Sequence, residues 1–384
     1  GSKRYEEDGV KFLKGGIWKN FFVKYEESNR IHKRMLELSK VRLEVNNPAF
    51  DTALYKFQTN DALWHGVFGG LYLPNLRDNA YRYMIEAEDL RYGKKLLIET
   101  DRNELDGYNK VKVVTPKYIF RFDSANGGQL VEFDSRKACF NWQNTLTRRK
   151  EAYHQHILNE QESQEEDVVE DGIDTIHNSS VEIDDNIRNS IIYDWHLKNS
   201  FIDHISDDCF CSENFRYANF HEYGDFANQP FDVKHNKSKI TFSRQGGLYF
   251  PQKERATLKK SYLPKNCGFD FEINLSTDVN RTLNYVLEYN FHFAEYEKIK
   301  INGEKLAEDA ICYQTNRLEI YDLYLNQKII IKLNQMCDIY YFPLKTLSQS
   351  EKGFDLSVQG ISIAMVLPFT RELSLNGSLE VRNV

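Results

Sequence analysis

Along the first ninety residues apolar side chains return every three or four positions, and from about Lys94 they alternate one by one. The first spacing is that of a helix with one buried face, the second that of a half-buried strand. Asn47-Pro48 reads as an N-cap followed by Pro at the first helical position, ahead of Phe50, Ala53, Leu54 and Phe57. Upstream, Ser28 is placed as the cap of a helix that buries Ile31, Met35 and Leu38. Downstream, Pro74 opens a third helix carrying Leu76, Ala80, Tyr83, Met84 and Ala87, and Gly93 lies just past its end. The strand pattern begins with KVKVV (110–114), then YIFRFD (118–123) and QLVEFD (129–134), the last two joined by SANGG as a hairpin with a glycine turn. It resumes in KITFS, FDFEINL, NYVLEYNFHFA, KIIIKLN, CDIYYFPL, GFDLSVQGISIAMVL and SLEVRN.

These patterns predict an α+β, mainly β, protein: a small N-terminal helical bundle over 1–93, then a large antiparallel β-sandwich of jelly-roll type over 94–384. An acidic loop is expected at about 158–180. Its core, EQESQEEDVVEDG (160–172), reads as a solvated, mobile loop, because it lacks the alternating ligands and turn glycine of a calcium loop. Asn186 to His204 is expected to form one or two helices packed on the sandwich. No internal repeat is visible.

Composition narrows the partners. Aromatic residues make up 14% of the 384, with 25 Phe and 23 Tyr, which favours strands. A net charge of -7 argues against a nucleic-acid or anionic-membrane binder, since phosphate contact rests on Lys and Arg. A neutral partner is the better match. The six cysteines include no CxxC pair, and read as reduced structural thiols of a cytoplasmic protein. No signal peptide is seen, and no apolar run approaches the roughly 18 residues that span a bilayer. Gly1-Ser2 looks like a cloning remnant, so the chain is expected to be a piece of something longer.

The stretch NDALWHGVFGGLY (60–72) carries the most suggestive chemistry. If it is helical, Asp61, Trp64 and His65 stand at i, i+3 and i+4 on one face. An indole beside a carboxylate is a sugar-binding pairing: the ring covers the apolar side of a pyranose and the acid accepts from its hydroxyls. The plainer alternative has Trp64 anchoring the bundle and Asp61 capping a helix. Gly69 and Gly70 mark a turn or close backbone approach, without the spacing of a phosphate loop. His154 and His156, two apart, would point away from each other on a helix and are expected on the surface. Tyr193-Asp194-Trp195-His196 repeats the aromatic-plus-acid composition, and a buried Trp with its neighbours at the rim explains it as well. Ser348 and Ser350 precede Gly353 as in a turn, and no Ser/His/Asp or Cys/His arrangement emerges.

Six segments taken together resemble one family: GGIWKNFFVKYEESNRIHKRML (15–36), NDALWHGVFGGLYLPNLR (60–77), NTLTRRKEAYH (144–154), YDWHLKNSFIDH (193–204), HEYGDFANQPF (221–231) and TLSQSEKGFDLSVQG (346–360). In this order they are similar to the C-terminal part of glycoside hydrolase family 57, most of all its 4-α-glucanotransferases. The resemblance implies a helical segment and a β-sandwich that accompany an N-terminal incomplete barrel acting on α-1,4-glucan with retention. It also implies that Asp61 and Trp64, with His65 following, face the glucan. Leu63 stands where the motif has tyrosine and Thr59 where it has cysteine.

Retaining glycosidases need two carboxylates about 5 to 5.5 Å apart. In this family both come from the barrel, which takes on the order of 200 residues, and only some ninety precede the strands here. The resemblance therefore implies no catalytic nucleophile or acid/base in this chain, and no metal or cofactor. The implied partners are an α-glucan or maltooligosaccharide and the catalytic barrel of the same enzyme, with neither nucleic acid nor membrane, and a homodimer. The alternative from another class is a stand-alone, non-catalytic glucan-binding or assembly module. A purely structural sandwich would require Trp64 to be buried.

Overall fold

Asn47 does cap a helix: its side chain accepts from Ala49 N at 2.9 Å, and Pro48 opens the first turn. In the computed structural model, which describes residues 18–66, 69–102, 108–159, 185–350 and 353–384, this helix is the third of four. They are α1 (Trp18–Lys24), α2 (Glu26–Val45), α3 (Pro48–Phe57) and α4 (Pro74–Tyr92). Phe50, Ala53, Leu54 and Phe57 of α3 pack on Ile31 and Leu38 of α2 and on Ala80, Met84 and Ala87 of α4. Ser28 is not a cap. Helix α2 begins two residues earlier, with Tyr25 at the cap position, and places Glu26 and Glu27 in its first turn, where carboxylates oppose the positive end of the helix. The Gly1-Ser2 start and the acidic run 160–172 lie outside the described residues.

The strands form two sheets. The first is a five-stranded antiparallel sheet in sequence order: β1 (Leu97–Arg102), β2 (Asn109–Val114), β3 (Tyr118–Asp123), β4 (Gln129–Ser135) and β5 (Phe140–Asn141). One face, with Val111, Val113, Phe120, Phe122 and Phe133, belongs to the main hydrophobic core. The other carries Lys112, Arg121, Glu132 and Asp134, adjacent on neighbouring strands. Its charges meet the bundle: Arg34 reaches Glu88 at 2.5 Å and Glu132 at 3.1 Å, while Arg121 reaches Glu37 at 3.1 Å, Glu132 at 3.2 Å and Glu88 at 3.3 Å. Burial, with Glu132 and Glu88 nearby, holds the Asp134 carboxyl well above the ordinary range.

The second sheet is larger and branched. Between β6 (Ile202–Ser206) and the end of the chain run β7 (Asp232–His235), β8 (Ile240–Tyr249), β9 (Lys253–Lys265), β10 (Gly268–Thr277), β11 (Leu283–Phe291), β12 (Ile299–Ile301), β13 (Glu304–Lys305), β14 (Ala310–Asp322), β15 (Gln327–Ser350), β16 (Gly353–Phe369) and β17 (Glu372–Asn383). KIIIKLN and CDIYYFPL, read as two strands, are one: β15 pairs through Gln327–Leu333 with β17 and through Asp338–Ser350 with β16. This strand joins two walls, β17-β10-β9-β8-β7 and β16-β11-β6. Alternate residues of both, such as Phe271, Ile273 and Leu375 on one and Leu287, Tyr289 and Ile363 on the other, fill a common core. Inside it Lys260 pairs with Asp203 at 2.6 Å, and Tyr285 donates its hydroxyl to the same carboxylate at 2.6 Å. The protein is thus mostly β, with an N-terminal helical region ahead of large antiparallel sheets.

Three short helices remain: α5 (Ala152–Asn159), α6 (Asp185–Asn189) and α7 (Ser212–Arg216). The helices expected between Asn186 and His204 reduce to α6. Beyond it the chain is irregular and then enters β6; there Asp194 is held by Arg148 at 2.6 Å, and Lys198 by Glu288 at 2.9 Å and by Asp194 at 3.4 Å. All six cysteines are free. Among the described residues no helix is long and apolar enough to cross a membrane.

Candidate functional site

The segment 60–72 is not a helix. Asp61–Leu63 make one tight 3-10 turn, and Trp64 is extended (φ -140, ψ 167), so Asp61, Trp64 and His65 do not share a helical face. Ala62 and Leu63 are the bundle anchors, both buried against the helices, where the tyrosine expected at 63 would need more room and a partner for its hydroxyl. Trp64 is half-buried, Asp61 exposed and His65 half-buried. Gly69 and Gly70 turn the chain back with φ of +86 and +58, and Leu71 N donates to Trp64 O at 2.8 Å. A Cβ on Gly70 would stand 2.0 Å from that same oxygen, and one on Gly66 would stand 2.7 Å from the Trp64 ring. The glycines therefore let the backbone close on Trp64 and the indole lie over its own chain.

His65 is fixed from both sides. Its Nδ1 lies 3.0 Å from Gly69 O and so carries the proton, which leaves Nε2 to accept from the Tyr153 hydroxyl at 3.2 Å. Its ring packs on Tyr72 at 4.4 Å. Burial holds its pKa below the ordinary value, against the hydrogen bond to Gly69, so the imidazole is neutral at pH 7. Behind it, Glu151 is buried and accepts from Tyr25 at 2.9 Å and Tyr72 at 2.8 Å, with the Lys24 ammonium at 2.5 Å. Burial, and then the Glu151 charge, push both phenols above their usual range, so they remain donors at any working pH.

Neither Glu151 nor these tyrosines were identified as site residues from the sequence. Glu151 lies in NTLTRRKEAYH, 79 positions from the Tyr72 that it binds, and nothing local marks the pairing. His154, expected on the surface, is buried and accepts from Glu151 N at 3.2 Å, while His156 is exposed. The arrangement offers a half-exposed indole, an exposed carboxylate and a locked neutral imidazole along one short segment. Such a set can stack on a sugar ring and accept from its hydroxyls.

A second polar cluster lies on the outer side of the β11 and β6 wall. The YDWH stretch reverses the reading of it: Trp195 is 39% exposed, whereas the Asp194 and His196 side chains are buried. Glu288 takes Lys198 at 2.9 Å, His196 Nε2 at 2.9 Å and His204 Nε2 at 2.9 Å, and His204 Nδ1 meets Glu222 at 2.7 Å. The two histidines and Glu288 are close enough to hold a metal ion, but the Lys198 ammonium already neutralises that carboxylate. Burial works against charge on His204, yet its bonds to Glu222 and Glu288 hold its pKa up at about 9.

A consequence for stability follows. With an unfolded value near 6.5, this histidine stabilises the fold fully below about pH 6.5, and the contribution is lost as pH rises through about 9. The unfolding free energy from urea titration should fall between pH 6.5 and 9.5 by an amount on the order of 3 kcal/mol, and the fall should shrink in His204→Gln. A midpoint equally pH-dependent in both proteins would remove His204 as the cause.

Residues 102–380 match the family model "Alpha-amylase/4-alpha-glucanotransferase, C-terminal", and residues 16–91 match the middle domain of the same enzymes. The chain is 33% identical over 362 residues to a 4-α-glucanotransferase of Thermococcus litoralis, which covers 94% of this chain and 52% of that protein. It is 32% identical to an α-amylase of Pyrococcus furiosus, over 91% of this chain and 49% of the relative. The crystal structure of 4-α-glucanotransferase from Thermococcus litoralis superposes with a TM-score of 0.79 at 31% identity, covering all of this chain and 53% of that one. The chain thus spans about half the length of the curated relatives it matches. With both domain models in the same order as its helices and sheets, this chain belongs to the α-amylase/4-α-glucanotransferase family and is a C-terminal part of such an enzyme.

Proposed function

We propose that this chain supplies the glucan-contacting segment and the structural support of an α-1,4-glucan-acting retaining enzyme, and that the nucleophile and acid/base reside on a barrel outside it. In this reading residues 1–93 pack on the barrel, and 94–384 form the sandwich that braces them. Trp64 stacks on a glucose ring, Asp61 accepts from its hydroxyls, and His65 holds the indole in place. The observation that carries the reading is the half-exposed Trp64, closed over its own chain by Gly66 and Gly70 beside a neutral His65. A segment meant only for packing would bury that ring, as the bundle buries Leu63. The working enzyme is cytoplasmic and homodimeric in this proposal.

The test is incubation of the chain with maltoheptaose, followed by chromatography of product lengths and by tryptophan fluorescence. Product lengths should stay unchanged while the fluorescence responds. Trp64→Ala should weaken the response about tenfold or more, since covering an aromatic side chain contributes about 1.5–3 kcal/mol. New shorter and longer glucans would place a complete active site in this chain and end the reading.

A further inference from the structure

A cleft of about 210 Å³ opens between Glu26 in the first turn of α2, Asn126 and Gln129 of the β3–β4 hairpin, Arg149, the Trp195–His196 stretch and Asn228. We propose that this cleft is a second saccharide site, which holds one neutral pyranose ring against the exposed face of Trp195. It uses none of Asp61, Trp64 and His65, and goes beyond the role given to them.

Four observations carry it. First, the indole is rigid yet open: it is 39% exposed, while its neighbours His196, His204 and Phe220 stand edge-on at 4.4, 5.6 and 6.0 Å. A ring fixed with a face to solvent is what a sugar's C–H surface stacks on. Second, His196 is buried and its Nδ1 has no hydrogen-bond partner. Its Nε2 faces Glu288 at 2.9 Å, which leaves Nδ1, beside the cleft, as an acceptor without a partner among the described residues. A sugar hydroxyl is a donor of the right kind. Third, three side-chain amides line the same space: Gln129 is engaged by Ala227 and Asn199, while Asn126 and Asn228, with one internal bond each, keep hydrogen-bonding capacity for a polyol. Fourth, the lining cation is already paired, Arg149 with Glu27 at 2.7 Å, as Asp194 is with Arg148 at 2.6 Å, and Glu26 adds a carboxylate to the lining. Among the described lining residues a phosphate would meet that carboxylate and no unpaired cation, so the ligand is a neutral one.

The test uses the 384-residue chain with maltose and methyl α-glucoside as probes, followed by ligand-observed NMR saturation transfer and calorimetry. Three variants are compared: Trp64→Ala, Trp195→Ala, and the two combined. Binding should persist in Trp64→Ala and fall at least about tenfold when Trp195→Ala is added. Trp195→Phe, which keeps an aromatic face, should retain binding to within about threefold and so separates a lost contact from a lost fold. Binding abolished by Trp64→Ala alone would overturn this site and leave the first reading standing. Binding lost only with Trp195→Ala would support this site and count against the first. Indifference to Trp195→Ala in every background would also overturn it.

Discussion

Arg34→Met lowers the stability of this chain by about 3–5 kcal/mol, the expected cost of leaving buried carboxylates without a partner. Arg34 is buried, and it stands between Glu88 and Glu132, both of which are fully buried and, among the described residues, keep Arg121 as their ion-pair partner once it is gone. The replacement fills similar space, so the loss is electrostatic rather than a cavity. The same layer supplies an internal control. Among the described residues Asp134 has no hydrogen-bond partner, and burial with Glu132 and Glu88 pushes its carboxyl up, so Asp134→Asn, an amide of the same shape, breaks no ion pair and should change the unfolding free energy by no more than about 0.5 kcal/mol. Equal effects from the two substitutions would refute the charge assignment across the interface between the helices and the five-stranded sheet.

Gly70→Ala comes second. A methyl group there meets the Trp64 carbonyl at 2.0 Å, and the residue must hold φ at +58, so the turn has to move or strain at roughly 2–4 kcal/mol. Ala62 and Leu63 still anchor the preceding turn, so the protein should fold while the fluorescence response to maltoheptaose weakens at least about tenfold. Gly93→Ala provides the comparison: φ is +54 there too, but nothing lies within 4 Å, and only the backbone preference of about 1 kcal/mol is felt. If Gly70→Ala proved as mild as Gly93→Ala, the close approach would not be what positions Trp64.

Much of the local structure could be read from the chain. The cap at Asn47, the apolar spacing of α3 and α4, the stop at Gly93 and the hairpin around Gly127 and Gly128 all depend on neighbours within a few residues. The division into helices and then strands follows from the change of period near Lys94. Misreadings arose where a distant group competes. Asp61 to His65 has helical spacing, but the Trp64 carbonyl accepts from Leu71 N, seven residues on, and not from the amide four residues on that a helix would supply. Gln335 and Met336 separate KIIIKLN from CDIYYFPL in the sequence, yet β15 runs through them as one strand because it is paired on either side, with β17 up to Leu333 and with β16 from Asp338.

What the sequence by itself determined is the kind of each element and the family to which its ordered motifs belong, because backbone preference and hydrophobic period act over one or two turns. What only the tertiary structure decided is the company each polar side chain keeps. Arg77 is fully buried and bonds Asn144 at 2.9 Å and Gln359 at 2.7 Å, across 67 and 282 residues of chain. Glu151 binds Tyr25 and Tyr72, and Trp195 is turned outward over a buried histidine, for the same reason. A buried polar atom must find its partner wherever the folded chain brings one, and no local pattern encodes that distance.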